Sequence, residues 1–193
     1  MEDLRAEKKW IGIFTSILRE HRILISFVLS MMLFLIARPT FGSILAGLPL
    51  IFLGESIRTW SSGVIRKNNE LATEGPYQYT RNPLYLGSFS LGLGFSLMTA
   101  QWWVPLAFSG IFYGIYRPTI REEEATLRMK FGPQFERYRS RVSCFFPGPW
   151  TADETSKAPR AFDWGLVVKH REYQTWFGIA AGILMMIWKM SLA

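Results

Sequence analysis

Five apolar segments, each 15 to 17 residues long, divide this 193-residue chain, and charged stretches lie between them. A membrane-spanning helix needs about 17 to 25 apolar residues, and a short span can be accommodated by local thinning of the bilayer. The chain is 49% hydrophobic with a mean hydropathy of +0.12, which is more apolar than an ordinary soluble domain. Core helices of a soluble protein are the alternative interpretation. We predict an all-α integral membrane protein with spans at residues 23–37, 41–57, 84–100, 102–116 and 176–190.

The basic residues test this topology independently, because Lys and Arg are enriched in cytoplasmic loops. With the N-terminus inside, five precede the first span, four lie between the second and third, and eleven lie between the fourth and fifth. Arg38 and Lys189 are left for the other side. The N-terminus and both long polar stretches are therefore predicted to be cytosolic, in a prokaryotic inner membrane or the endoplasmic reticulum. This distribution, beside anionic lipid headgroups, accounts for the net charge of +7 without a nucleic-acid partner.

The chain is predicted to have four parts. Residues 1–22 are expected to form an interfacial amphipathic helix, and residues 23–147 a membrane core whose short turns, 38–40 and 100–101, create two helical hairpins. A polar loop (148–173) and a C-terminal transmembrane helix (174–193) follow. Cys144 is the single cysteine, so no internal disulfide is expected, and no removable signal peptide is predicted.

The first long polar stretch, residues 71–87, carries two turn signals. The second of them, Arg81-Asn82-Pro83, stands immediately before an apolar run, and Pro is well tolerated in the first turn of a helix, so a helix should begin near Pro83. Its free N–H groups and partial positive charge favour an anionic ligand group. Tyr77, Tyr79 and Tyr85 surround this end with rings that could stack on a purine or meet a cation, or form an interfacial aromatic belt.

The second polar stretch, residues 117–147, begins with the consecutive carboxylates of Glu122, Glu123 and Glu124. Adjacent carboxylates repel one another unless a cation offsets them, and the nearest basic residues in sequence, Arg117, Arg121 and Arg128, are the expected partners. A solvated acidic helix start is the alternative interpretation.

Apolar residues continue at helical spacing beyond these acids. Leu127, Phe131, Phe135, Tyr138 and Val142 recur every three or four residues, which predicts one packed face on a helix, or on a helix pair broken near Gly132-Pro133. This helical segment should cap the membrane core on the cytosolic side.

Glu55 is an acid inside the second apolar segment. An ionised side chain is costly there unless it is paired, and Arg58, three residues further on, is the expected partner.

In this order the two stretches resemble the isoprenylcysteine carboxyl methyltransferase family. The resemblance covers about residues 62–147 and is carried by Gly75-Pro76-Tyr77, Arg81-Asn82-Pro83 with Tyr85, Glu123-Glu124-Ala125-Thr126-Leu127 and Phe131-Gly132. It implies an integral membrane methyltransferase that takes S-adenosyl-L-methionine from the cytosol, while a lipophilic acceptor enters from the bilayer. Related phospholipid N-methyltransferases share the C-terminal part of this pattern.

The resemblance also implies site residues. Cofactor contacts would fall on Asn69, Glu70, Leu71, Ala72, Tyr77, Asn82, Pro83, Leu84, Tyr85 and Glu123. Asn82 stands where many members have His, which removes a titratable ring. Thr119 stands where the eukaryotic enzymes have an arginine for the substrate carboxylate, so Arg117 or Arg121 would have to orient it. With an amine acceptor, Glu124 or Glu122 could take the proton.

The expected function is O-methylation of a carboxylate of the isoprenylcysteine type, on an acceptor within the membrane. N-methylation of a phospholipid or another amine is the first alternative. An NADPH-dependent sterol reductase and a non-catalytic membrane binding protein are the others.

Overall fold

The computed structural model describes residues 31–66, 70–148 and 161–192, and all regular elements within these ranges are helices. The all-α prediction is thereby confirmed. In chain order the helices are α1 (Phe41–Val64), a 3-10 helix (Gly75–Gln78), α2 (Pro83–Met98), α3 (Trp103–Phe131), α4 (Pro133–Arg141), α5 (Trp164–Lys169) and α6 (Tyr173–Ser191).

The chain divides into two units, residues 1–37 and 38–193. In the first, residues 31–36 are helical and the Ala37 amide donates to the Leu33 carbonyl (3.1 Å). The predicted interfacial helix and most of the first predicted span lie outside the described residues.

The last four predicted spans coincide with α1, α2, the first half of α3, and α6. Within the described ranges, α1 is the one helix that is both long and apolar enough to cross a membrane, while α2 is apolar but has 16 residues. Large apolar side chains are exposed on α1 and α6, among them Phe52 at 72% and Phe177 at 74%. Such a surface fits a lipid environment, whereas the number of spans stays a prediction.

Helices α1 and α2 are antiparallel and approach each other at two pairs of glycines. A Cβ atom on Gly47 would lie 2.4 Å from the Gly94 carbonyl oxygen, and one on Gly54 would lie 2.6 Å from that of Gly87. Within each helix the two glycines are seven residues apart, so both fall on one helix face. Small residues of this kind let helix backbones approach closely in membranes. The α1–α2 interface is therefore built on backbone contact.

We expect Gly54→Ala to destabilise the fold by about 1 to 3 kcal/mol, because the new methyl group meets backbone atoms that cannot turn away. Gly110→Ala is the matched control, since it lies in α3 with no atom within 4 Å of an added Cβ. The control should leave stability unchanged or raise it by up to about 1 kcal/mol. Unfolding in detergent, followed by helical circular dichroism, measures both. Equal stabilities of the two variants would contradict this account of the interface.

The two predicted short turns lie side by side. The Arg38 amide donates to the Thr99 carbonyl (2.9 Å), and the Ser43 hydroxyl donates to the Met98 carbonyl (3.1 Å). Thr40 caps α1 by accepting from the Ser43 amide. The second turn reverses the chain from α2 into α3, as predicted for a hairpin.

Helix α3 is longer than predicted. Its 29 residues span about 43 Å, which exceeds the roughly 30 Å thickness of a bilayer core. The fourth predicted span and the three glutamates therefore lie on one continuous helix. Pro118 is accommodated within it. The helix ends at Phe131, the φ of +49° at the following Gly132 favours glycine, and α4 begins at Pro133. The predicted break is confirmed, and Phe135 on the predicted packed face is 1% exposed.

The predicted loop at 148–173 contains a further element. Helix α5 occupies Trp164–Lys169, where the Asp163 side chain caps it by accepting from the Gly165 amide (2.7 Å). The Asp163 amide donates to the Gly63 carbonyl (3.0 Å), which ties this segment to the end of α1.

Candidate active site

The two polar stretches meet at one hydrogen bond. The hydroxyl of Tyr85, in the first turn of α2, donates to Oε1 of Glu123 on α3 at 2.7 Å. Thirty-eight residues separate the two in sequence. The two stretches that carry predicted cofactor residues are therefore in contact, and a common site stays a prediction.

Aromatic rings form the wall behind Tyr85. The Tyr116 ring meets it edge-on with centroids 5.0 Å apart, and the Phe112 ring stacks on Tyr116 at 4.0 Å. Phe89 and Phe145 extend the wall, each in contact with Phe112. The Tyr85–Glu123 bond thus lies at the edge of an apolar environment, where electrostatic interactions are stronger than in water.

Tyr77, in the 3-10 helix, is 6% exposed and its hydroxyl has no hydrogen-bond partner among the described residues. Its carbonyl accepts from the Tyr138 hydroxyl of α4 (2.8 Å). Burial raises the pKa of Tyr77, and the nearby Tyr138 and Glu123 raise it further. Burial raises the pKa of Tyr138 as well. Both phenols are therefore neutral hydroxyls at physiological pH, and the Tyr77 hydroxyl is a buried group that a ligand could satisfy.

Glu124 does not share the partner of Glu123 and binds Arg81. The Arg81 Nη2 and Nε atoms donate to Glu124 Oε1 at 2.7 and 2.9 Å, and Arg139 lies 3.7 Å from the other oxygen. The prediction that neighbouring arginines pair with the acids was therefore wrong for Glu124. Arg128 pairs with Glu136 of α4 instead. An acid already neutralised in this way is a poor general base.

Residues 143–148 are bound to the segment that precedes α2. The Thr80 hydroxyl donates to the Phe145 carbonyl (2.8 Å), the Arg81 amide to that of Ser143 (2.9 Å), and the Asn82 side chain to that of Cys144 (2.8 Å). One side-chain amide hydrogen of Asn82 is therefore used in a structural hydrogen bond. Burial and the Glu124 charge raise the pKa of the exposed Cys144, which keeps it a thiol.

We expect Arg81→Ala to lower stability by roughly 3 to 5 kcal/mol, because Glu124 would keep a poorly solvated charge without its partner. Arg128→Ala is the matched control. Its ion pair with Glu136 is about half exposed on both sides, so its loss should cost less than about 1 kcal/mol. Denaturant titration of both variants checks the difference, and similar costs would show that the Arg81 pair is no more than a surface contact.

The remaining predicted cofactor residues lie near this cluster in the chain. Asn69 is outside the described residues, whereas Leu71 and Pro83 are buried, Ala72 and Leu84 are half-buried, and Glu70 is exposed. Tyr79, expected at the helix end, contacts Trp60 with ring centroids 6.5 Å apart. A direct role for these residues stays a prediction.

The two arginines predicted to orient an acceptor are exposed. Arg117 lies over the Tyr113 ring, 5.3 Å from its centroid, and among the described residues neither Arg117 nor Arg121 bonds to Tyr85 or Glu123. Their role as orienting groups stays a prediction.

Arg58, which the sequence interpretation assigned only to Glu55, has other partners in the structure. Its Nη1 donates to the hydroxyl of Ser88, one turn after Tyr85 on α2, at 2.6 Å. Its Nε donates to Glu172 Oε1 (2.7 Å) and its Nη2 to Thr175 (3.3 Å), so the predicted Arg58–Glu55 pair is replaced by a pair with Glu172. An arginine inside an apolar helix was itself a signal of function.

The family of the chain follows from a comparison with known families. The model of the phospholipid methyltransferase family matches residues 25–134, more than half of the sequence, and the chain belongs to that family. The match contains α1, α2, α3 and both partners of the Tyr85–Glu123 bond.

Three curated proteins are similar to the chain. A cobalt-zinc-cadmium resistance protein, CzcN, of Cupriavidus metallidurans is 37% identical over 134 residues, which are 65% of this chain and 61% of that protein. The protein-S-isoprenylcysteine O-methyltransferase of Schizosaccharomyces pombe is 30% identical over 106 residues, covering 55% and 45%. Protein-S-isoprenylcysteine O-methyltransferase B of Arabidopsis thaliana is 29% identical over 113 residues, covering 52% and 57%. The chain spans about half the length of these relatives.

Proposed function

We propose that this protein is an integral membrane methyltransferase that uses S-adenosyl-L-methionine and methylates a carboxylate on a lipid-like acceptor. The observation that carries the proposal is the Tyr85–Glu123 hydrogen bond, which joins the two stretches typical of the family beside a buried, unsatisfied Tyr77 hydroxyl. The N-terminus and the site are proposed to face the cytosol, in a prokaryotic inner membrane or the endoplasmic reticulum, and the acceptor to enter from the bilayer.

The residues present fit this cofactor. Glu123 is exposed and accepts a hydrogen bond from the Tyr85 hydroxyl, so its carboxylate is accessible to a cationic or hydroxyl-bearing ligand. The rings of Tyr85 and Tyr116 offer faces for a purine or a sulfonium. The Tyr77 hydroxyl adds a donor, and the N-terminus of α2 offers free backbone N–H groups to a carboxylate. Tyr77, Tyr85 and Glu123 would hold the cofactor.

When bound, the cofactor supplies a methyl group already activated by its sulfonium. The task left to the protein is to orient the acceptor in line with that group and to exclude water. The aromatic wall serves the second need. With a carboxylate acceptor no base is required, which agrees with the commitment of Glu124 to Arg81.

The orientation of the acceptor needs a cation, and the structure offers an alternative to Arg117 and Arg121. Arg58 is 19% exposed and donates to the Ser88 hydroxyl on α2. A guanidinium can exchange a neutral hydroxyl partner for a carboxylate, because charge-assisted bonds are stronger. We include Arg58 among the orienting candidates.

Tyr77→Phe separates a ligand contact from a structural role. We expect the free energy of unfolding to be unchanged or higher, because an unsatisfied buried hydroxyl is removed, and the Kd for S-adenosyl-L-methionine to rise about fivefold. Equilibrium dialysis with labelled cofactor measures the Kd. Tyr138→Phe is the control: it removes a donor to the Tyr77 carbonyl, so it should cost about 1 kcal/mol of stability. An unaltered Kd for Tyr77→Phe would remove this hydroxyl from the site.

The acceptor class is tested by incubating the purified protein with methyl-labelled cofactor and a total lipid extract. We expect label in a base-labile ester, and none with Glu123→Ala, which should bind the cofactor weakly. Label in phospholipid would instead support the amine alternative. Absence of labelled product and of cofactor binding in the wild-type protein would overturn the proposed function.

A further inference from the structure

A second cluster of charged groups lies where α1 meets α6, outside the cofactor cluster. Glu55 of α1 uses Oε1 to accept from the Trp176 indole (2.6 Å) and from the Thr59 hydroxyl (2.9 Å). Its other oxygen, Oε2, is buried and has no hydrogen-bond partner among the residues described. The proposed methyl transfer does not use this carboxyl.

The nearest cation is already committed. Arg58 gives its three donor nitrogens to Glu172, Ser88 and Thr175. Both oxygens of Glu172 are also satisfied, one by Arg58 and the other by the Ser62 hydroxyl at 3.1 Å.

No other charged group in the described structure compensates Glu55. Thr59 and Trp176 donate hydrogen bonds to Glu55. The charged groups near it are Arg58 on its own helix and Glu172, the residue just before α6. The Nδ1 atom of His170 lies 3.1 Å from the Ser62 carbonyl and so points at backbone. One arginine and two ionised carboxylates would leave a surplus negative charge.

A buried, unpaired anionic oxygen is strongly unfavourable in a helix bundle surrounded by lipid. A hydrated ion needs exposed surface that Oε2 lacks, whereas a proton needs none. We propose that Glu55 is a proton-binding site: a hydronium ion of the solvent gives up a proton and becomes water, an O–H bond forms on Oε2, and the neutral carboxyl lets α6 dock against α1 through Trp176. Because the docked state holds this proton, docking weakens as the pH rises.

The test uses the full chain in lipid nanodiscs and infrared difference spectra between wild-type and Glu55→Gln protein at neutral pH. We expect one carboxylic-acid C=O band in the wild type, sensitive to deuterium exchange and absent from the variant. Glu136→Gln, at an exposed ion pair, is the control and should retain this band. A difference spectrum with carboxylate bands alone would overturn the proposal, since Glu55 would then be ionised.

Trp176→Phe gives a second reading that does not depend on the folding of Glu55→Gln. It keeps the carboxyl but removes the indole bond to Oε1, so the same C=O band should move to higher frequency. An unmoved band would assign the proton to another residue and end the proposal. Trp176 fluorescence, taken as wild type minus Trp176→Phe, should change as the pH rises; a pH-independent signal would also contradict the link to docking.

Discussion

The close approach of α1 and α2 at their glycines is the contact on which both charged clusters depend. Gly87 faces the Gly54 carbonyl, and a Cβ at Gly87 would also lie 2.6 Å from the Arg58 side chain. The absence of a side chain at Gly87 therefore has two effects. It lets the two backbones meet, and it leaves room for the Arg58 side chain to reach Ser88 and Glu172. A larger residue at position 87 would both separate the helices and block the Arg58 side chain.

The consecutive acids Glu123 and Glu124 of α3 bind two different partners near the start of α2. Adjacent residues project about 100° apart around a helix, so Glu123 and Glu124 cannot reach the same partner. Glu123 turns to Tyr85 in the first turn of α2, and Glu124 turns to Arg81 two residues before that helix. The acids thereby hold the start of α2 from both sides. This arrangement fixes a neutral donor and a carboxylate beside each other without neutralising the carboxylate.

Local chemistry predicted local structure well. The start of α2 at Pro83 and the break at Gly132 follow from the backbone restrictions of Pro and Gly, and both are present. The meeting of Tyr85 with Glu123 was predicted from a family resemblance rather than from residue physics. The predicted ion pairs were wrong where the partners were chosen because they are close in sequence. Arg81 and Glu124 are 43 residues apart, and Arg58 and Glu172 are 114 apart, and only the packed helices bring them together.

The two clusters share one design and differ in burial. Each contains an ion pair, Arg81–Glu124 or Arg58–Glu172, and beside it a carboxylate bonded by neutral donors, Glu123 or Glu55. Glu123 is exposed, so water and a polar ligand can stabilise its charge, and it is suited to hold a cofactor as an anion. Glu55 has one oxygen sealed between helices, where the same charge would have neither water nor a partner. The same side chain is therefore expected to act as an anion at the exposed edge of the bundle and as a neutral acid within it.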